Sequence, residues 1–142
     1  MSTQYNAGTI ATNCIDGVTT YASSCTWPCS QPYMCATLGN PQDWLVITVT
    51  GYSVDKIKVY NRIDCCQNQI NNAKLIYSYD FTGTSIIHQA SFGSTVLSTY
   101  TFDFSTTTYV RIQQTTSNAI SLLEVALYNN NVKISISGEY DL

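Results

Sequence analysis

The stretch "DWLVITVTGYSVDKIKVYNR", residues 43–62, sets two runs of β-branched and aromatic residues on either side of a Gly-Tyr-Ser break. Such runs suit a pleated, half-buried surface better than a helix. "DWLVITVTG" reads as one strand and "VDKIKVYNR" as the next, with Ile57 and Val59 on one face. Farther along, "AKLIYSYD", "SIIHQASF", "STYTFDF", "TYVRIQQT" and "SLLEVALYN" repeat the pattern between Gly, Asn, Asp and Ser clusters. No segment has the period and length of a long amphipathic helix. Many short strands at regular spacing predict an all-β antiparallel sandwich or jelly roll rather than alternating βαβ units.

At 142 residues the chain has the size of one domain. The first forty residues are rich in Cys, Pro, Ser and Thr, show little periodicity, and are read as long loops pinned by cysteines. The tail "NNNVKISISGEYDL", residues 129–142, adds an alternating run, Val132, Ile134 and Ile136, that either closes the sheet or pairs with a neighbouring chain. Charged residues make up only 11% of the chain, and six Lys plus Arg against a net charge of −3 are too few to displace counterions from a phosphate backbone. Nucleic acid is therefore excluded as the main partner. No apolar run is long enough to span a bilayer, and the start "MSTQYNAGTIATN" lacks the basic region and apolar core of a secretory signal. Six cysteines in so short a chain read as a disulfide set formed in an oxidising setting, since paired Cys/His zinc spacing is absent and the single histidine, His88, lies far from them. Cys14, Cys25, Cys29 and Cys35 allow three pairings among themselves.

Two cysteines stand apart from that set, side by side in "VYNRIDCCQNQI", residues 59–70. Neighbouring Cα atoms lie about 3.8 Å apart, below the usual range for bridged cysteines, so a bond between Cys65 and Cys66 makes a small, strained, rigid ring. The ring presents a compact, polarizable apolar surface. Next to it Arg62 supplies a planar set of donors, and Asp64 either accepts from hydroxyls or holds the guanidinium in place. Donors, an acceptor and an apolar platform are what a sugar demands.

"RIDCCQNQ" resembles the Arg-x-Asp-Cys-Cys core of F-type (fucose-binding) lectins, within the discoidin and galactose-binding-like superfamily. "ATNCIDGVTTYASSCT" resembles that family's early loop, "DWLVITVTG" its Trp-Leu strand and "SLLEVALYN" its closing strand, so the likeness spans about residues 7–128. It implies an eight-stranded antiparallel β jelly roll with sugar-binding loops clustered at one end. It also implies sugar contacts at Arg62, Asp64, Cys65, Cys66 and Gln69. Trp27 and Tyr33, in the loop "CTWPCSQPYMC", are placed to lean over a sugar or to cap the barrel mouth. Two departures are plain: the family's upstream His has no counterpart before Arg62, and Gln69 stands where fucose binders carry a second Arg. Gln69 keeps a hydrogen bond without the charge-assisted strength. His88 follows the motif and is read as a strand residue.

The same resemblance implies a structural calcium ion tying the early loop to the last strand, with ligands mapping to Asn13, Asp16, Val18, Ser24, Leu123 and Glu124. "NCIDG" fits independently as a turn where carboxylate and backbone oxygens converge. The competing reading is an Asx-turn at Asp16 and a hydrogen-bonded Glu124. The family's disulfide from the Ser-Cys-Thr loop has Leu123 at its partner position, so Cys25 needs another mate.

No nucleophile with a base and no paired carboxylates are evident, so the chain is expected not to be an enzyme. Two functions remain. One is a calcium-stabilised carbohydrate-binding module recognising a terminal monosaccharide such as fucose or galactose, outside the cell or at a virion or cell surface, with glycans as partners. The other is a subunit of a virion, surface layer or filament, using the same jelly roll with a degenerate sugar pocket as a homo-oligomer or larger assembly.

Overall fold

A computed structural model of the protein describes residues 1–3, 9–20, 34–103 and 107–136. Trp27, Tyr33 and Ser24, and with them Cys25 and Cys29, lie outside the described residues. Among the described residues nine strands form two antiparallel sheets. They are β1 (Cys35–Ala36), β2 (Trp44–Thr48), β3 (Lys56–Asn61), β4 (Lys74–Ser78), β5 (Ile86–Ser91), β6 (Thr99–Asp103), β7 (Tyr109–Gln113), β8 (Ser121–Asn129) and β9 (Val132–Ile134). No α-helix occurs among the described residues; two short 3-10 turns, Ala11–Cys14 and Gln67–Ile70, interrupt the loops.

The first sheet runs β1-β8-β3-β6 with β9 also on β8, and the second runs β2-β7-β4-β5. Period-2 alternation turns one face of each sheet inward. Leu45, Ile47, Leu75, Tyr77, Val110 and Ile112 of the second sheet meet Ile57, Val59, Tyr100, Val125 and Leu127 of the first. The seven internal strands expected from the alternating runs are all present. Strand β1 is an addition to them: two residues inside a Cys- and Pro-rich stretch carry no readable period, and β1 forms because β8 offers it an edge, pairing Cys35 with Leu122 and Ala36 with Ser121.

The tail closes the sheet. Asn130 and Asn131 both take left-handed backbone, φ 49 and 64, which makes the tight two-residue turn whose twist matches a hairpin. This folds β9 back on β8, pairing Tyr128 with Lys133 and Leu127 with Ile134. Of the two fates open to the tail, the intramolecular one is what the structure holds over Val132–Ile134.

Cys14 and Cys35, both fully buried, form a disulfide between the early loop and β1. Asp43 fixes the other end of that region. Its Oδ1 accepts from Ser2 Oγ at 2.8 Å, and its Oδ2 accepts from Thr3 Oγ1 and from the backbone N–H groups of Gly39 and Asn40 at 2.9–3.0 Å. Burial pushes this carboxyl up, but the hydrogen bonds outweigh it and hold the carboxyl below the usual range. A depressed carboxyl stabilises the fold above its unfolded value of about 3.9, and the contribution fades as pH falls through the lower folded value. Asp43→Ala is expected to lower unfolding free energy by about 2 kcal/mol at pH 7 in urea titrations, with the gap to wild type narrowing as pH drops below about 4.

Candidate functional site

Loops 62–73, 92–98 and 114–120 gather at one end of the sandwich, and hydrogen bonds between them fix its shape. Asn61, at the end of β3, is 1% exposed; its amide donates to the carbonyls of Gln67 and Leu97, and its Oδ1 accepts from the Arg62 N–H. Gln114, equally buried, donates through Nε2 to the carbonyls of Gln69 and Ala119. Asn71 Nδ2 donates to Ser94 O, and Thr115 Oγ1 to Asn72 O. Asn61 and Gln114 are therefore the scaffold of this end. Only their place at strand ends hints at such a role in the sequence.

On this scaffold Arg62 and Asp64 form a two-pronged ion pair: Nε to Oδ1 at 2.8 Å and Nη2 to Oδ2 at 2.7 Å. Their side chains are only 6% and 8% exposed. Burial works against the guanidinium's charge, but the Asp64 fork and the neighbouring sulfurs outweigh it, so the Arg62 pKa rises. Nη1 donates to no described residue. Of the two arrangements open to Asp64, the structure holds the one in which it pins Arg62.

The sulfurs of Cys65 and Cys66 lie 2.8 Å apart, longer than a disulfide bond and closer than two separate thiols ordinarily pack. Cys66 has left-handed backbone, φ 55, which turns both side chains to one side of the loop. Cys66 is exposed and Cys65 half-buried, so the pair presents a sulfur surface beside Arg62. Burial pushes the Cys65 thiol up to about 11, helped by its contact with Cys66 and opposed by Arg62. Gln69 sits on the 3-10 turn that follows, its N–H bonded to Cys66 O at 3.0 Å. Its Oε1 is buried without a hydrogen-bond partner, as is Asn71 Oδ1. His88 lies apart, exposed on β5 and stacked on Tyr77 at 5.7 Å.

Of the residues expected to hold calcium, the described ones lie in the early loop (Asn13, Asp16, Val18) and on β8 of the first sheet (Leu123, Glu124). The register between β3 and β8 slips from Asn61–Leu122 to Tyr60–Glu124, leaving Leu123 as an extra residue and swinging Glu124 toward the early loop. Glu124 is 1% exposed. Its Oε2 accepts from the Gly17 N–H at 3.0 Å and its Oε1 from Lys133 Nζ at 2.9 Å. Asp16 Oδ1 accepts from the Val18 N–H at 2.8 Å, the Asx-turn, while the Asn13 amide donates to Met34 O. The described donors therefore do not fit a dication here: both Glu124 oxygens are engaged, and an ammonium already answers their charge. Burial pushes the Glu124 carboxyl up, partly offset by Lys133 and Gly17.

The profile of the family described as "NedA-like, galactose-binding domain", of the F5/F8 type C group, matches residues 13–112. The chain belongs to this family. No curated protein matches it in sequence. Solved structures share the family's fold: a fucose-binding module of Streptococcus pneumoniae, SpX-3, is 20% identical with a TM-score of 0.73 over 90% of each chain. The fucolectin of striped bass (Morone saxatilis) serum is 20% identical with a TM-score of 0.66, over 89% of this chain and 44% of that one. The family 32 carbohydrate-binding module of C. perfringens NanJ, solved with galactose, is 17% identical with a TM-score of 0.61, over 89% and 90%. Each of these structures is named as a binding module or a lectin. Among the described residues of this chain no helix is long and apolar enough to cross a membrane.

A thiol held up to about 11 is almost wholly protonated near neutrality, and the thiolate is the species that attacks. Alkylation of Cys65 in the folded domain, followed by peptide mass spectrometry, is expected to be slow at pH 7.5 and to keep accelerating beyond pH 9.

Proposed function

We propose that this domain binds a terminal monosaccharide of a glycan, fucose or galactose in class, at the loop end built on Asn61 and Gln114. The observation that carries the reading is the Arg62–Asp64 fork, nearly buried and rigid, beside an exposed pair of sulfurs. The guanidinium gives charge-assisted donation to ring or hydroxyl oxygens, and the sulfurs give the apolar face of the sugar a place to rest. The match to galactose-binding domains, and the fucose and galactose in the names of its structural relatives, support that class. A buried Cys14–Cys35 disulfide suits work in an oxidising setting, outside the cell or at a surface.

Gln69 is the residue on which affinity turns. As an uncharged amide it contributes about 1 kcal/mol where a guanidinium contributes about twice that, so the module is expected to bind its sugar weakly. A glycan array followed by calorimetric titration of the best monosaccharide tests this. Arg62→Ala is expected to abolish binding, Gln69→Ala to weaken it roughly tenfold, and Gln69→Arg to tighten it roughly tenfold, with near-UV dichroism confirming that each variant is folded. A flat array and no heat with wild type would sink the proposal.

The assembly reading has one observation of its own. Strand β5 is an edge strand, paired with β4 on one side and with no described strand on the other, and it exposes Ile86 at 50% and Ile87 at 37%. Light scattering across a wide concentration range separates the two readings: a constant mass fits the module, whereas a rising mass abolished by Ile87→Lys identifies a subunit.

A further inference from the structure

The middle of strand β8 poses a problem that its neighbours do not solve. On one side β8 is paired along Leu122–Tyr128 by β3. On the other side β1 reaches only Ser121 and Leu122, and β9 only Leu127 to Asn129. Between them lies a cleft of about 280 Å³ lined by Asp16, Gly17, Glu124, Ala126, Lys133 and Ile136. At its floor is Glu124, a carboxylate 1% exposed, which needs both hydrogen bonds and a counter-charge to stay ionised there.

We propose that Lys133 is the resident cation of this cleft, tying the early loop to β8 in the position where the F-type pattern implies a calcium ion, so that the domain is independent of divalent metal. The hairpin makes the delivery specific. The Asn130–Asn131 turn sets Lys133 opposite Tyr128, and Glu124, Ala126 and Tyr128 alternate along the same face of β8. From there the side chain runs back along the strand until Nζ reaches Glu124 Oε1 at 2.9 Å.

The loop closes from the opposite side. Gly17, with φ 89, turns its N–H onto Glu124 Oε2, and a Cβ built on Gly17 would come 3.7 Å from Lys133 Nζ. One carboxylate thus gathers a backbone donor from the early loop and an ammonium from β9, which is the joining work a bridging ion performs. A dication entering the cleft would have to expel Lys133, because two cations cannot share a nearly buried carboxylate without strong repulsion.

Thermal unfolding of the whole domain, with calorimetric titration of calcium, tests the proposal through stability and metal binding rather than through sugar binding. Wild type is expected to melt at the same temperature in excess chelator and in millimolar calcium, and to give no calcium-binding heat. Lys133→Met is expected to lower the melting temperature by roughly 5 °C, Lys133→Arg to restore most of it, and Glu124→Gln to remove most of the penalty when combined with Lys133→Met. A calcium-dependent rise in the wild-type melting temperature would overturn the proposal, as would additive effects of the Lys133 and Glu124 substitutions. Because Gln still accepts from the Gly17 N–H, the combined variant keeps the loop contact and isolates the ion pair.

Discussion

Strand β8 is buried along seven consecutive residues, Ser121–Leu127, and every peptide group in it has to find a partner inside the protein. That requirement organises the rest. A strand buried on both faces recruits β3 along one side, and on the other side takes β1 at one end and β9 at the other, with the early loop reaching the Glu124 side chain between them. The extra residue Leu123 absorbs a register slip in the middle of β8. As a result Asn61 and Arg62 leave β3 at the point where the strand pairing ends, and the loop end of the sandwich begins there.

The site inherits its rigidity from this arrangement. Asn61 and Gln114 spend their amides on carbonyls of three different loops, so the backbone under Arg62 has few ways to move. A side-chain pair is a good sugar contact only if its geometry is set before the sugar arrives, because ordering it on binding subtracts from affinity. The Arg62–Asp64 fork meets that condition, with both partners nearly buried and two parallel hydrogen bonds between them. The two neighbouring sulfurs add polarizable surface without adding charge.

Much of this was legible in the residues. Alternation over "DWLVITVTG" and "VDKIKVYNR" gave strands because period-2 patterning survives wherever one face is wet, "SLLEVALYN" stood out as a short, nearly continuous apolar run, and the Arg-x-Asp-Cys-Cys run marked the loop that carries the fork. Strand β1 was not legible, since Cys35 and Ala36 become a strand only through the edge of β8. Nor was the role of Lys133. A lysine in an alternating tail looks like a solvated residue until a left-handed pair of asparagines folds it onto a carboxylate nine positions earlier in the chain. Cys65 and Cys66 were expected as neighbours on one surface, and the left-handed backbone at Cys66 brings their sulfurs to 2.8 Å.

The bridge between Cys14 and Cys35 has neither sulfur-bearing residue open to solvent. A reductant can attack it only after the early loop has lifted away from β1, so the rate of reduction measures how often that region breathes and not how strong the reagent is. The cystine is therefore a built-in chronometer for local opening, readable by quenching and mass analysis on a domain that is otherwise intact.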